Sequence, residues 1–308
     1  MTTRDTLIGA VNGLSKRLLQ LPADALIASA KTLPNRLSRL MLSDPRLSAK
    51  FHPYKAEEVF YILPKSRSGD KECSLLPVPP QPLWMGYGAS SEAFLNSGKI
   101  HIDKMENILE STGFSMKNAN HILDLGCASG RMIRWLADLA RHCEVWGVDI
   151  SGEHITWCQQ HLTPPFNFAT VTTAPHLPFE DRYFDLIYCG SVFTHIDDLA
   201  IAWLLELKRI LKSTGRLYVT IHDKYTLDLI MNHPETEAPE WFRQLLLAYD
   251  KKATFKCVDF GMLTIDRCAV PQVFYDIDYL QQHWGRILNI VSVTPEAYGY
   301  QTAVVLMK

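Results

Sequence analysis

From residue 120 onward the chain alternates short β-branched and apolar runs with amphipathic stretches. This pattern predicts βαβ units and a mainly parallel sheet. Strands are expected over residues 121–126, 144–150, 167–173, 185–190, 216–222, 287–294 and 300–307, with helices near 130–141, 152–162, 197–212 and 275–284. The last two strands are separated only by residues 295–299, and a connection that short cannot make a parallel crossover. The expected fold is therefore α/β: a doubly wound, mostly parallel seven-stranded sheet with an antiparallel last strand.

The amino-terminal part follows another rhythm. Leu7, Ile8, Val11, Leu14, Leu18 and Leu19 recur at helical spacing, and Pro22, Pro34 and Pro45 divide the run. Residues 1 to about 60 are read as a helical extension that packs on the core or on a second copy, giving a homodimer. Lys16, Arg17, Arg36 and Arg39 make too thin a basic face for a membrane-surface helix to be preferred. Residues 64–88 are rich in Pro, Gly and Ser and read as a linker or ordered loop. The division expected is 1–83 for extension and linker and 84–308 for the main domain. Within the latter, residues 224–272 are too long for a simple connection. They carry Trp241, Tyr249, Phe255, Phe260 and Met262, which suit either a lid over a small pocket or a small core of their own.

Composition narrows the classes. With 47% hydrophobic residues the chain can bury a substantial core. Basic and acidic residues nearly balance, 31 against 33, which argues against a nucleic-acid partner. The seven cysteines have no CxxC pair, and the eleven histidines show no ligand spacing. Reduced thiols, no metal and a cytoplasmic location are expected. No apolar run reaches membrane-spanning length, and no signal peptide is recognisable.

The strongest chemical signal runs from Ile122 to Arg131, ILDLGCASGR, where an apolar strand enters a glycine turn. Glycine permits the sharp turn, and a following helix amino terminus offers N–H groups to a polar ligand. The next strand, VWGVDI, sets Asp149 at its carboxyl end, where a carboxylate can accept ribose hydroxyls. A dinucleotide site wants G-x-G-x-x-G. Here Gly126, Ala128 and Gly130 follow a looser pattern that suits a nucleoside cofactor without a pyrophosphate.

The stretches HILDLGCASGRMIRWLA, VWGVDIS, LPFEDRYFDLIYCGSVFTHI and LLELKRILKSTGRLYVTIHD resemble, in order, the motifs of class I S-adenosylmethionine (SAM)-dependent methyltransferases. The resemblance covers roughly residues 84–308. SVFTH at 191–195 and GYQ at 299–301 resemble a broad bacterial subgroup with diverse substrates. The resemblance implies that Asp124, Gly126, Ala128 and Gly130 line the methionine side of SAM, that Asp149 holds the ribose and that Ile150 flanks the adenine. Thr173 falls where relatives often carry an acidic contact to the adenine amino group. Ser191 and Tyr87 are also assigned to the cofactor.

The substrate side is expected beyond the carboxyl ends of the strands, from Trp84, His195, His222, Tyr298 and Tyr300. His195 is the candidate general base, because histidine as a residue type titrates near neutrality. It suits equally a substrate contact or, beside Asp197 and Asp198, a residue that orients a turn. His222 with Asp223 is a weaker catalytic candidate. Methyl transfer from a sulfonium is an in-line displacement, and a base is needed only when the acceptor arrives protonated. The expected activity is methylation of a small metabolite, leaning to an amino acid or other sulfur- or nitrogen-containing compound. O-methylation of a hydroxylated natural product, a non-catalytic SAM-binding scaffold and an NAD-dependent oxidoreductase are the alternatives.

Overall fold

The computed structural model describes residues 49–54, 59–64, 76–236, 238–251, 260–267 and 270–308. The expected helices of residues 1–48, and the homodimer drawn from them, lie outside the described residues.

The central sheet is built from β3 (His121–Leu125), β4 (Glu144–Asp149), β5 (Asn167–Thr170), β6 (Phe184–Cys189), β7 (Leu211–Asp223), β10 (Asn289–Tyr298) and β11 (Gln301–Met307). Their order is β5-β4-β3-β6-β7-β11-β10. The first five are mutually parallel, while β11 runs antiparallel to both β7 and β10. The antiparallel last strand thus inserts between β7 and β10, as the short turn requires. Ile122, Leu123, Leu186, Ile187, Leu217 and Val219 are fully buried, which fits strands covered on both faces. The sheet accordingly separates two apolar clusters, one around Leu123, Ile187, Val219 and Val304 and the other around Ile122, Val145, Leu186 and Val305.

Helices α2 (Gly152–His161), α3 (Ala200–Ile210) and α6 (Ile277–His283) lie where the periodicity places them. Three other elements differ from expectation. Residues 49–54 and 59–64, at the end of the expected helical extension, form an antiparallel pair of strands, β1 (Ala49–Tyr54) and β2 (Val59–Pro64). β2 pairs with the edge strand β5 at Ile62–Thr170, so sheet extension overrides the local pattern. A 21-residue helix not anticipated from the sequence, α1 (Ser91–Ser111), precedes β3. Its signals were present: the Ser90 hydroxyl accepts from the Ala93 N–H, and Phe94, Ile102, Met105 and Leu109 share one buried face.

The third difference concerns residues 130–141. No α-helix follows the glycine turn; the segment tightens into 3-10 turns at Ile133–Leu136 and Leu139–Arg141. Its side chains are committed to tertiary partners. Ser129 donates to the Leu83 carbonyl, and Arg134 donates to the carbonyls of Leu76 and Pro77. These ties also dock residues 76–84 as an ordered strap along the domain.

The insertion after β7 carries α4 (Lys224–Asn232), α5 (Glu240–Lys251), β8 (Met262–Ile265) and β9 (Gln272–Tyr275). β9 continues the sheet locally, pairing with β7 at His222–Phe274 and Asp223–Tyr275. Ile230, Phe242, Leu246, Phe260, Ile265 and Phe274 make a separate small core. Phe255 lies outside the described residues.

Candidate cofactor and acceptor site

After β3 the backbone turns with positive φ at Gly126 (80°), Ala128 (46°) and Gly130 (79°). The Gly126 and Cys127 N–H groups both donate to the Val148 carbonyl, at 2.7 and 3.1 Å, which ties the turn to β4. A Cβ on Gly126 would stand 2.4 Å from Val192 Cγ2, and one on Gly130 2.5 Å from Leu162 Cδ1. Both glycines are therefore required by packing as well as by conformation. Ala128 keeps its side chain in the left-handed region, at a cost of about 1–2 kcal/mol. Its N–H donates to Asp149 Oδ2 at 2.9 Å, which helps hold it there.

Asp149 also accepts from the Ser151 N–H, through Oδ1 at 2.7 Å. One carboxylate thus bridges the glycine turn and the start of α2. Since a carboxylate has about four acceptor positions, lone pairs remain on this half-buried group. Beside it Ile150 is 61% exposed, an apolar side chain left in water next to a carboxylate. Thr173 is exposed in the loop beyond β5, which ends at Thr170, three residues earlier than expected.

Asp124 is buried at the end of β3, and its Oδ2 has no hydrogen-bond partner. Burial pushes its carboxyl up to about 7, against the opposing pull of the Tyr188 hydroxyl and the Arg131 cation. Arg131 turns toward α1. Its Nη1 donates to His101 Nδ1 at 3.1 Å and to Ser97 Oγ at 3.3 Å, and its Nη2 donates to the Tyr298 hydroxyl. The guanidinium lies 3.9 Å from the Tyr87 ring centroid, and the Tyr298 hydroxyl donates to that of Tyr87 at 3.0 Å. Burial, and then Arg131, lower His101 to about 3, so it accepts as a neutral ring.

At the ends of β6, β7 and β11 the polar groups close a circuit. The Ser191 N–H donates to Thr220 Oγ1 at 2.7 Å, the Thr220 hydroxyl to Gln301 Oε1 at 2.7 Å, and Gln301 Nε2 to Ser191 Oγ at 2.8 Å. Ser191 takes positive φ (59°). The following turn presents His195 to solvent, with Nδ1 2.9 Å from the Pro271 carbonyl. A carbonyl can only accept, so Nδ1 carries a proton, and in the neutral ring Nε2 is the nitrogen with the lone pair. Asp197 and Asp198 do not hold this ring; they pair with Arg267, at 3.5 and 3.2 Å.

His222 is buried, and neither ring nitrogen has a hydrogen-bond partner. Phe242, Phe274 and Tyr300 surround it, with ring centroids at 5.0, 5.2 and 5.8 Å. Burial, then the charge of His195, push it down to about 3. Asp223 is not its partner but the cap of α4, accepting from the Thr226 N–H at 2.8 Å.

The assigned residues thus separate into groups. Asp124, Gly126, Ala128, Gly130, Asp149 and Ile150 meet around the turn, with Tyr87 and Tyr298 joining Asp124 through Arg131. Ser191 and His195 share the turn after β6, while His222 and Tyr300 belong to the core of the insertion. Trp84 stands apart, buried on Phe94 with its indole N–H donated to the Pro79 carbonyl. Sequence reasoning assigned no role to Arg131 or His101, which the fold brings beside Tyr87 and Tyr298. Arg131 was the most findable, since a cation directly follows the last glycine of the turn. No group of three or more His, Cys, Asp or Glu suited to a metal occurs among the described residues.

Residues 123–219 match the model of the methyltransferase domain family. They span β3 to β7 and include the glycine turn, Asp149 and the turn carrying His195. Those residues carry a methyltransferase domain. A demethylmenaquinone methyltransferase of Thermotoga maritima is 33% identical over 102 residues, 33% of this chain and 43% of that protein. The O-methyltransferase cnsE of Penicillium expansum is 27% identical over 164 residues, 47% of this chain and 55% of that protein. The chain spans about half the length of these two curated relatives. The PH0226 protein of Pyrococcus horikoshii shares the fold, with a TM-score of 0.50, 18% identity and coverage of 73% of this chain and 95% of that one. SAM is the cofactor of such a domain. The residues present fit it: the orphaned buried oxygen of Asp124 awaits a donor, and Asp149 keeps acceptor capacity beside exposed Ile150.

Proposed function

We propose that the protein moves a methyl group from SAM to a small organic acceptor, with Asp149 on the ribose, Ile150 and Thr173 on the adenine side and Asp124 on the methionine side. SAM supplies a methyl group already activated on a sulfonium. The protein's part is to align the acceptor, exclude water and accept a proton where one must leave.

The observation that carries the finer reading is His195. Its Nδ1–H is spent on Pro271, which fixes the ring and leaves Nε2 as a base at the strand ends. An acceptor that arrives protonated, above all a hydroxyl, uses such a base, whereas a thioether sulfur needs none. O-methylation is thereby favoured over the amino-acid or other sulfur- or nitrogen-containing metabolite that the sequence suggested. The acceptor oxygen would form its bond to the methyl carbon as the carbon–sulfur bond breaks, and the hydroxyl proton would pass to His195 Nε2. The O-methyltransferase name of one relative agrees with this reading.

Mass spectrometry of reactions with isotope-labelled SAM and a metabolite library should reveal a methylated small molecule. His195→Ala should then lower turnover by about 10²–10⁴-fold, with SAM affinity nearly unchanged. Near-normal turnover in the variant would remove the base. Absence of SAM binding by the wild type would sink the whole proposal.

A further inference from the structure

The turn that carries His195 is held from outside by the last stretch of the insertion, Arg267 and residues 270–275. The Val273 N–H donates to the Thr194 carbonyl at 2.9 Å, one residue before the histidine, and the Pro271 carbonyl accepts from the ring. The Tyr275 hydroxyl reaches two carbonyls of the same turn, Phe193 at 3.4 Å and Ile196 at 3.0 Å. These carbonyls flank His195 in the chain, so one O–H ties the backbone on both sides of the ring. Tyr275 is fully buried against Trp284, with ring centroids 5.3 Å apart, and Phe193 packs on the same indole at 5.1 Å. Burial above all pushes its phenol well up, so the hydroxyl stays a donor. Farther along, Arg267 pairs with Asp197 at 3.5 Å and Asp198 at 3.2 Å, on the approach to α3. Beyond its own small core, the insertion thus clamps the turn.

We infer that Tyr275 and Arg267 are positioning residues for His195, which keep its ring on the Pro271 carbonyl and Nε2 as its basic nitrogen. The use made of the ring rests on the methyl-transfer reading above; its anchoring does not. A base displaced by about 1 Å can lose about 10²-fold in rate, so the clamp bears on turnover although neither residue is a proton acceptor.

Nitrogen-15 NMR of the histidine rings in alkaline solution, where imidazoles are neutral, tests the anchoring without any acceptor. His195→Gln assigns the His195 signals. In the wild type its two ring nitrogens should lie far apart, as a single Nδ1–H tautomer requires. Tyr275→Phe keeps the ring on Trp284 and removes only the hydroxyl; the two signals should draw together as both tautomers exchange. Arg267→Gln should move them the same way by less, since an exposed ion pair holds weakly, and Arg267→Lys should restore them. With the acceptor that labelled SAM identifies, Tyr275→Phe should lower turnover about 10- to 100-fold and leave SAM affinity within about twofold. Should Tyr275→Phe fail to melt cooperatively, the two Arg267 variants carry the test. Wild-type signal positions in the folded variants would overturn the inference, even with a lowered melting temperature, because the role would then be structural only. A wild type whose ring nitrogens already average would overturn it as well. Normal turnover in His195→Ala, with the wild-type ring still fixed, would instead remove the base and leave the anchoring in place.

Discussion

The turn after β3 and the insertion after β7 both border the carboxyl ends of the strands, yet they are built on opposite principles. Around the turn, polar groups are matched with care: one Asp149 carboxylate serves two backbone N–H groups, and Ser191, Thr220 and Gln301 satisfy one another in a closed circuit. What stays unmatched there is one oxygen of the buried Asp124 carboxyl, while Arg131 has only neutral partners. In the insertion the surroundings are aromatic, and the unmatched group is a neutral imidazole, His222, with no bond to either nitrogen. The first region holds its shape by hydrogen bonds; the second holds its shape by apolar packing. Loss of a polar group should therefore damage binding in the first region, and loss of apolar packing should damage stability in the second.

Asp149→Ala tests the first half most severely. Loss of a charge-assisted bond costs about 1.5–3 kcal/mol, so SAM affinity should fall roughly tenfold to a hundredfold. The same substitution strips the Ala128 and Ser151 N–H groups of their acceptor, and the melting temperature should fall as well. Unchanged SAM affinity in folded Asp149→Ala would contradict the ribose assignment.

A pH series sharpens the reading of Asp124. Burial holds Asp124 at about 7, and a cofactor ammonium seated beside it would favour the ionised form, so binding would release a proton below that point. SAM affinity should rise with pH and weaken by roughly tenfold per unit below about pH 7. Asp124→Asn should abolish that slope. A slope retained in the variant would place the titration elsewhere.

Two buried histidines, His222 against the insertion and His101 in α1, predict a different acid response. His101 and His222 are both held neutral in the fold at about 3, while an unfolded histidine takes up its proton near 6.5. Their depressed values mean that the unfolded chain binds more protons between these limits. Their contribution is therefore full above about pH 6.5 and is lost as pH falls toward 3. His222→Phe removes one such proton, so melting across that window should depend less steeply on pH. At neutral pH its stability should change by no more than about 1 kcal/mol, because the ring replaces an unbonded imidazole in an aromatic box. If the variant folds but loses acceptor affinity, His222 touches the acceptor and the two regions are less distinct than their packing suggests.

Local pattern alone carried the succession of the seven central strands and the helices α2, α3 and α6, because each depends on residues close in sequence. The antiparallel last strand was equally legible, since a short turn allows no other arrangement. Tertiary context decided what depended on distant partners. The 130–141 segment gave up its α-helix where Ser129 and Arg134 reached the strap at residues 76–84. Residues 49–54 and 59–64 became strands beside an edge that only the folded sheet provides. At the site, glycine, aspartate and histidine drew notice as residue types, but the roles of Arg131 and His195 did not follow from type. A guanidinium 34 positions from Ser97 and 167 from Tyr298 acquires its neutral box only on folding, and His195 Nδ1 finds its acceptor in a carbonyl 76 positions away. Hydrogen bonds and desolvation act through space, so the sequence determined which groups were available, and the tertiary structure decided which of them were left unsatisfied.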